Sequence, residues 1–481
     1  MDSRIAKNYL YTIAYKVLFI IAPLITTPYV SRVLHSDGVG IYSYTYSIAT
    51  AFALVAALGI NTYGQREIAY RQNNEDERVR TFDELFQLRL ITTSIVVIAY
   101  FIFCYFYIGY KIPLLCQSAI ILSTMFDISW YFQGIENFRI VVLRNLALKI
   151  VTIILIFMLV KTSDDVDKYI LINSLSMISS NAVFFVNLKL PLFRYRISKE
   201  AARIHLIGAL SFFVPLIAVE IYSHLDKIML GAIVGSDFEN GYYEQARKIT
   251  QLIVTIIASI NIVMLPRISN LYAQNKKEII REYFVKSLNV IYLVMLPCVA
   301  GLFIISDQFV LWFFGDDFEK VSILLKICCF MIPFMSIGNF VGMQYLSPTN
   351  LQNYMTKAYV IAAVANIGMN IILIPRFASV GALIASAIAE MISCGIQVYY
   401  LQNSEFRFNM MKGISKYLIA ASIMVLCLVI FNSLVSLSGG MYTIINMSIG
   451  AAIYIIVLVI VKEDYVWAVI KKLGIYKGTE V

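Results

Sequence analysis

Charge is scarce in this chain. Only 14% of its 481 residues are Asp, Glu, Lys or Arg, against about 25% in soluble domains. That shortage excludes a cytosolic enzyme, a disordered scaffold and a secreted disulfide-rich domain. Histidine is scarcer still. His35, His205 and His224 are too scattered to suggest a metal site. No P-loop, no HExxH and no glycine-rich dinucleotide turn occurs, so no catalytic constellation, cofactor or metal is expected. Long polar stretches are missing too, and a soluble nucleotide-binding or glycosyltransferase domain has nowhere to sit. The longest connection predicted to lie outside, near 306–320, is too short to hold an acceptor for a polysaccharide polymerase or ligase.

What the chain has is apolar length. Hydrophobic residues make up 60% of it, and mean hydropathy is +0.76. This character runs end to end, so neither a signal peptide nor a single anchor explains it. A bilayer core needs about 20 apolar residues per helix. Fourteen runs meet that need, at roughly 8–31, 40–63, 84–108, 113–133, 139–160, 168–190, 205–233, 242–265, 284–305, 321–346, 355–375, 380–402, 414–436 and 440–461. They predict an all-α polytopic membrane protein of about 14 transmembrane helices. The seven cysteines, Cys104, Cys116, Cys298, Cys328, Cys329, Cys394 and Cys427, fall inside these runs without zinc-ligand spacing. They are read as small buried side chains.

The net charge of +9 suggests nucleic acid in a soluble chain. In a membrane chain, basic cytoplasmic loops account for it, and no nucleic-acid partner is expected. With the N-terminus inside, twenty-two Lys and Arg fall in inside segments, among them Arg66, Arg71, Arg78 and Arg80. Six fall outside: Arg32, Lys111, Lys161, Lys168, Lys320 and Arg376. The even number of helices then puts both termini in the cytoplasm.

The chain also repeats itself. A shift of 201 residues lays Gly40 on Gly241, Tyr42 on Tyr243, Ile48 on Ile249, Ala57 on Ala258, Arg66 on Arg267, Asn74 on Asn275, Glu77 on Glu278 and Arg80 on Arg281. An even number of spans separates the repeats, so the halves are parallel and related by an axis along the membrane normal. The expected organisation is a six-helix lobe over 1–203, a second over 204–403, and two extra helices with a short tail over 404–481.

Several charges lie inside the runs. Lys16 sits about 12 Å deep at 1.5 Å per residue. Asp127, Arg144, Lys149, Glu220, Asp226, Lys227, Arg247, Lys248, Lys326 and Glu390 follow. Exposing half of them to lipid would cost more than about 12 kcal/mol, beyond many proteins' total stability. They must face a wet cavity or pair. Helical spacing supports a cavity. Asn145, Lys149 and Thr152 share a face, as do Glu220, His224 and Lys227. So do Lys248, Gln251, Thr255 and Ser259, and Ser386, Glu390, Ser393 and Gln397. Arg144, Asp127 and Arg247 lie near helix ends, where snorkelling to headgroups is the plainer alternative. In the first lobe cations outnumber acids, which suits an anionic substrate such as a phosphate. The anion-contact candidates are therefore Lys16, Arg144, Lys149, Lys227, Arg247, Lys248 and Lys326. Asp127, Glu220, Asp226 and Glu390 are candidates for coupling or gating, because burial raises a carboxyl pKa.

The chain resembles the bacterial polysaccharide repeat-unit flippases of the multidrug/oligosaccharidyl-lipid/polysaccharide superfamily, the Wzx-type transporters. The resemblance rests on Pro28-Tyr-Val-Ser-Arg-Val-Leu34, Gly38-Val-Gly-Ile-Tyr-Ser43 and Gly59-Ile-Asn-Thr-Tyr-Gly-Gln-Arg-Glu-Ile-Ala69. It rests further on Phe126-Asp-Ile-Ser-Trp-Tyr-Phe-Gln-Gly-Ile-Glu136, Leu225-Asp-Lys-Ile-Met-Leu-Gly231 and Gln344-Tyr-Leu-Ser-Pro-Thr349. It implies two pseudo-symmetric six-helix lobes, similar to multidrug-and-toxin-extrusion transporters, plus two helices. It implies a transporter, not an enzyme, that flips an undecaprenyl-pyrophosphate-linked oligosaccharide across the bacterial cytoplasmic membrane for capsule, O-antigen or teichoic acid. The partners implied are that lipid-linked oligosaccharide, membrane lipid, a polysaccharide polymerase and glycosyltransferases. A drug or cation antiporter on the same fold is the alternative. It requires a carboxylate-dominated first lobe, and this one is cationic.

Overall fold

The computed structural model describes the backbone of residues 3–188 and 190–467. Side chains are described from residue 21, except at 138–140, 143, 214–215, 218–223 and 262. The described residues are helical and contain no strand. Fourteen α-helices run in order: α1 (Ser3–Ala57), α2 (Ile60–Tyr70), α3 (Glu75–Phe106), α4 (Lys111–Met125), α5 (Ser129–Gly134), α6 (Phe138–Leu159), α7 (Val166–Val186), α8 (Lys199–Val234), α9 (Asp237–Ala273), α10 (Lys277–Phe313), α11 (Val321–Val341), α12 (Gln352–Gln402), α13 (Ile414–Leu434) and α14 (Gly439–Ile460). Every predicted run falls on helix, but runs and helices do not correspond one to one. The 8–31 run and most of 40–63 are two helices, both within the α1 range, that meet at a kink at His35, whose φ is 56°. The 355–375 and 380–402 runs are likewise two helices within the α12 range, meeting at a kink at Ala378, whose φ is 49°. The 113–133 run is divided between α4 and α5. Ten helical segments among the described residues are long and apolar enough to cross a membrane.

Two compact units make up the chain, Met1–Gly241 and Tyr242–Val481. This division falls after α8, whereas the repeat places a boundary before it. The reason is packing: α8 lies on α1, α2 and α3. In the first unit α4 packs on α7, and α1 packs on α4, α6 and α3. An aromatic core of Phe82, Phe86, Trp130, Tyr131, Phe132 and Phe184 ties α3, α5 and α7 together. Phe82 stacks on Trp130 at 5.4 Å between ring centroids. In the second unit α10 is the hub, touching α11, α13 and α14.

Outer faces are apolar. On α3, Ile91, Ile95, Ile98 and Ile102 are exposed in one stripe, while Leu85, Leu88, Arg89 and Tyr100 are buried. Exposed isoleucine at helical spacing is the inverse of a soluble helix and needs lipid against it. The chain is thus a multi-pass membrane protein. All seven cysteines are free. Cys104, Cys328, Cys329 and Cys394 are buried as expected, and Cys116, Cys298 and Cys427 are only half-buried.

The 201-residue shift has local structural content. It carries the start of α3, Glu75, to position 276, beside the start of α10 at Lys277. It also pairs two contacts. A Cβ on Gly40 would lie 1.8 Å from the carbonyl oxygen of Asp237, and a Cβ on Gly241 would lie 2.0 Å from that of Ser36. Ser36 and Asp237 are themselves related by the shift. The contact between these two helix starts is therefore reciprocal, as a local two-fold axis requires. Only glycine permits backbones to approach so closely.

Candidate functional site

A polar pocket of about 370 Å³ opens within the first unit, inside the size range of small-molecule sites. Four helices wall it. α1 supplies Tyr42 and Tyr46, and α4 supplies Ile120 and Ser123. From α6 come Asn145, Leu148, Lys149 and Thr152, and from α7 Asn173, Ser176, Met177, Ser180 and Asn181. Each set follows the three-and-four spacing of one helical face. Lys149 is the only charged residue among the described lining residues. A cation among amides and hydroxyls suits an anionic, hydroxyl-rich ligand.

Internal bonds shape the walls. Thr152 and Ser176 share a hydrogen bond at 2.5 Å, joining α6 to α7. The Asn181 amide donates to the Ser123 carbonyl at 2.8 Å, joining α7 to α4. Tyr42 stacks on Tyr46 at 5.5 Å and meets Tyr169 edge-on at 4.9 Å. Arg144 stands behind the lining. Its guanidinium lies 3.6 Å from the centre of the buried Phe184 ring. It donates to Asn145 Oδ1 at 3.0 Å, to the Ser180 carbonyl at 2.7 Å and to Asn181 Oδ1 at 3.5 Å.

The remaining described sequence candidates are not among these lining residues. The side chains of Lys16 and Glu220 lie outside the described residues. Asp127 sits between α4 and α5 in a knot of polar groups. It accepts from Asn61 Nδ2 at 3.0 Å and from the backbone N–H of Ser129 at 3.0 Å. Arg89 faces it at 3.6 Å. Arg89 is fully buried and also donates to Asn61 Oδ1 at 2.6 Å and to the Asp127 carbonyl at 2.8 Å. Asp226 is buried and Lys227 half-buried on α8. In the second unit, Arg247 donates to Met331 Sδ at 3.4 Å, and Lys248 pairs with Glu244 at 3.5 Å. Lys326 forms an ion pair with Asp307 at 2.8 Å. Glu390 is half-buried, on a face of α12 where Ser386, Ser393 and Gln397 are buried.

The predicted Asn145, Lys149 and Thr152 face thus lines the pocket together. Three features escaped sequence reading. Arg89 is a cation in an apolar run and should have been counted with the others. The polar face Asn173, Ser176, Ser180 and Asn181 has the same spacing signal as its α6 partner. Tyr42 entered only as a repeat identity and motif residue, and its pairing with Tyr46 carried no signal of a site, because tyrosine pairs four apart occur wherever tyrosine is common.

Known proteins share this architecture. The solved structure of the lipid II flippase MurJ in an inward closed conformation superposes with a TM-score of 0.78 at 16% identity, covering 95% of this chain and 100% of that one. An inward-facing multidrug resistance MATE transporter superposes with a TM-score of 0.57 at 14% identity, covering 83% and 99%. These likenesses establish the fold. In sequence, a protein of Shigella dysenteriae named as an O-antigen transporter is 20% identical over 357 residues, 72% of this chain and 87% of that one. A Haloferax volcanii protein named as a low-salt glycan biosynthesis flippase is 25% identical over 182 residues, 38% of each chain. The lipid II flippase MurJ family profile matches residues 239–450. The polysaccharide biosynthesis protein profile matches residues 5–272, more than half of the sequence, and the chain belongs to that family.

Proposed function

We propose that this protein is a flippase for a lipid-linked oligosaccharide, moving it across the membrane without a chemical step. The observation that carries the reading is the pocket of the first unit. It is polar inside an apolar bundle, it holds the cation Lys149, and its amides and hydroxyls match a sugar and phosphate head. Family membership and the names of the relatives support the same reading. The substrate is an undecaprenyl-pyrophosphate-linked repeat unit for a surface polysaccharide, made and polymerised by glycosyltransferases and a polymerase. It passes from the inner to the outer leaflet of the bacterial cytoplasmic membrane by alternating access. Fourteen spans in a 6+6+2 plan, with lobes at 1–203 and 204–403 and both termini inside, fit the loop charges. A drug or cation antiporter is disfavoured, because no carboxylate stands among the described lining residues of the pocket.

The test is export in cells that depend on this protein. Lys149→Ala should reduce polymer at the surface at least tenfold while the protein stays in the membrane at normal abundance, since a buried charged contact is worth about 1.5–3 kcal/mol. Normal export by Lys149→Ala, with cationic-dye resistance lost instead, would reverse the choice between flippase and antiporter.

A further inference from the structure

We infer that Arg144 is a positioning residue for the pocket, and that the ligand contact it prepares is made by the side-chain amide of Asn145. The inference rests on reading the pocket as the site for an anionic head. Arginine has no acceptor, so the atom of each asparagine facing it is the oxygen. The guanidinium donates to Asn145 Oδ1 through both Nε and a terminal nitrogen, and to Asn181 Oδ1 and the Ser180 carbonyl through the other. It lies over the Phe184 ring. These four bonds tie it to the two helices that wall the pocket.

That commitment orients both amides. The Asn181 nitrogen turns to α4 and bonds the Ser123 carbonyl. The Asn145 nitrogen makes no hydrogen bond to another described residue and belongs to a lining side chain. Asn145 and Lys149 stand one turn apart on α6, so their side chains are neighbours. The pair presents an amide N–H and an ammonium to one place, a donor set for phosphate oxygens. Without Arg144 the amide can turn over and offer its oxygen, which repels an anion.

The test is titration of the purified full-length protein with inorganic pyrophosphate, with thermal unfolding followed in parallel. Asn145→Asp keeps an acceptor for Arg144 and should retain its Tm, yet lose at least about tenfold in affinity as the donor becomes a carboxylate. Arg144→Lys keeps the charge but lacks the planar fork, and should lose affinity as Arg144→Ala does. Raising salt should weaken binding to Arg144→Ala as steeply as to wild type, and binding to Lys149→Ala less steeply, because of the two cations only Lys149 meets the anion. The double variant Arg144→Ala/Asn145→Ala should bind no worse than Asn145→Ala alone. Additive losses, full affinity in Arg144→Lys, or unchanged affinity in Asn145→Asp would overturn the positioning role and leave the pocket reading standing. Wild type that binds no pyrophosphate, or Lys149→Ala that binds it equally well, would overturn the pocket reading and this inference with it.

Discussion

Asp127, a coupling or gating candidate, has close partners of its own. A carboxylate in an apolar run invites a coupling role, yet here it accepts from Asn61 and the Ser129 N–H and faces the guanidinium of Arg89. Arg89 has no exposed surface, so removing its counter-charge strands a cation in the bundle. Asp127→Ala should cost about 3 kcal/mol or more, seen as a large fall in Tm in detergent. Asp127→Asn, which can still accept from Ser129, should cost less. Loss of export with an unchanged Tm would instead restore the coupling role. Lys326 is a milder case: its pair with Asp307 is partly exposed, and Asp307→Asn should change stability by no more than about 1 kcal/mol.

At the scale of elements, α3 holds the connection between α7 and α8. Both oxygens of the fully buried Asp83 accept backbone N–H groups, from Phe193 at 3.0 Å and from Tyr195 at 2.9 Å. One turn on, Gln87 bonds the Tyr195 carbonyl at 2.6 Å and the Ile197 N–H at 3.2 Å. Between them Glu84 meets His205 of α8 at 3.0 Å, and His205 meets the Tyr63 hydroxyl at 3.0 Å. Asp83→Ala orphans two backbone donors at about 1–3 kcal/mol each. It should expose 193–197 to protease in detergent at concentrations that leave wild type intact. The Gly40 and Gly241 crossing makes a second prediction at this scale. Leucine at either position meets a backbone carbonyl that cannot move aside, so Gly40→Leu and Gly241→Leu should both fail to accumulate as folded protein, measured by size-exclusion profile.

For the whole molecule, orientation is the testable quantity. The proposed topology puts Asp164 and Asp316 outside and Gln274 and Glu405 inside, and all four are exposed. Single cysteines at the first two should react with an impermeant thiol reagent in intact cells. Those at the last two should react only after permeabilisation. The native thiols all lie within helices, which keeps the background low. The opposite pattern would invert the topology and, with it, the direction of flipping.

Helix, membrane and repeat were legible in the sequence because each depends on averages over many residues. Apolar runs must be helical in lipid, loop lysines and arginines bias the topology, and a 201-residue shift survives as repeated identities. The face carrying Asn145, Lys149 and Thr152 was legible for the same reason, since its spacing is a property of one helix. What lies across from a residue was not. Asn145 and Lys149 became part of a site only when α7 brought Asn173 and Ser176 opposite them. Arg144 meets Phe184 and Ser180, and Asp127 meets Arg89, partners 36 to 40 residues away. Spacing along one helix is encoded locally, whereas the partner of a buried charge is chosen by which helix folds against it.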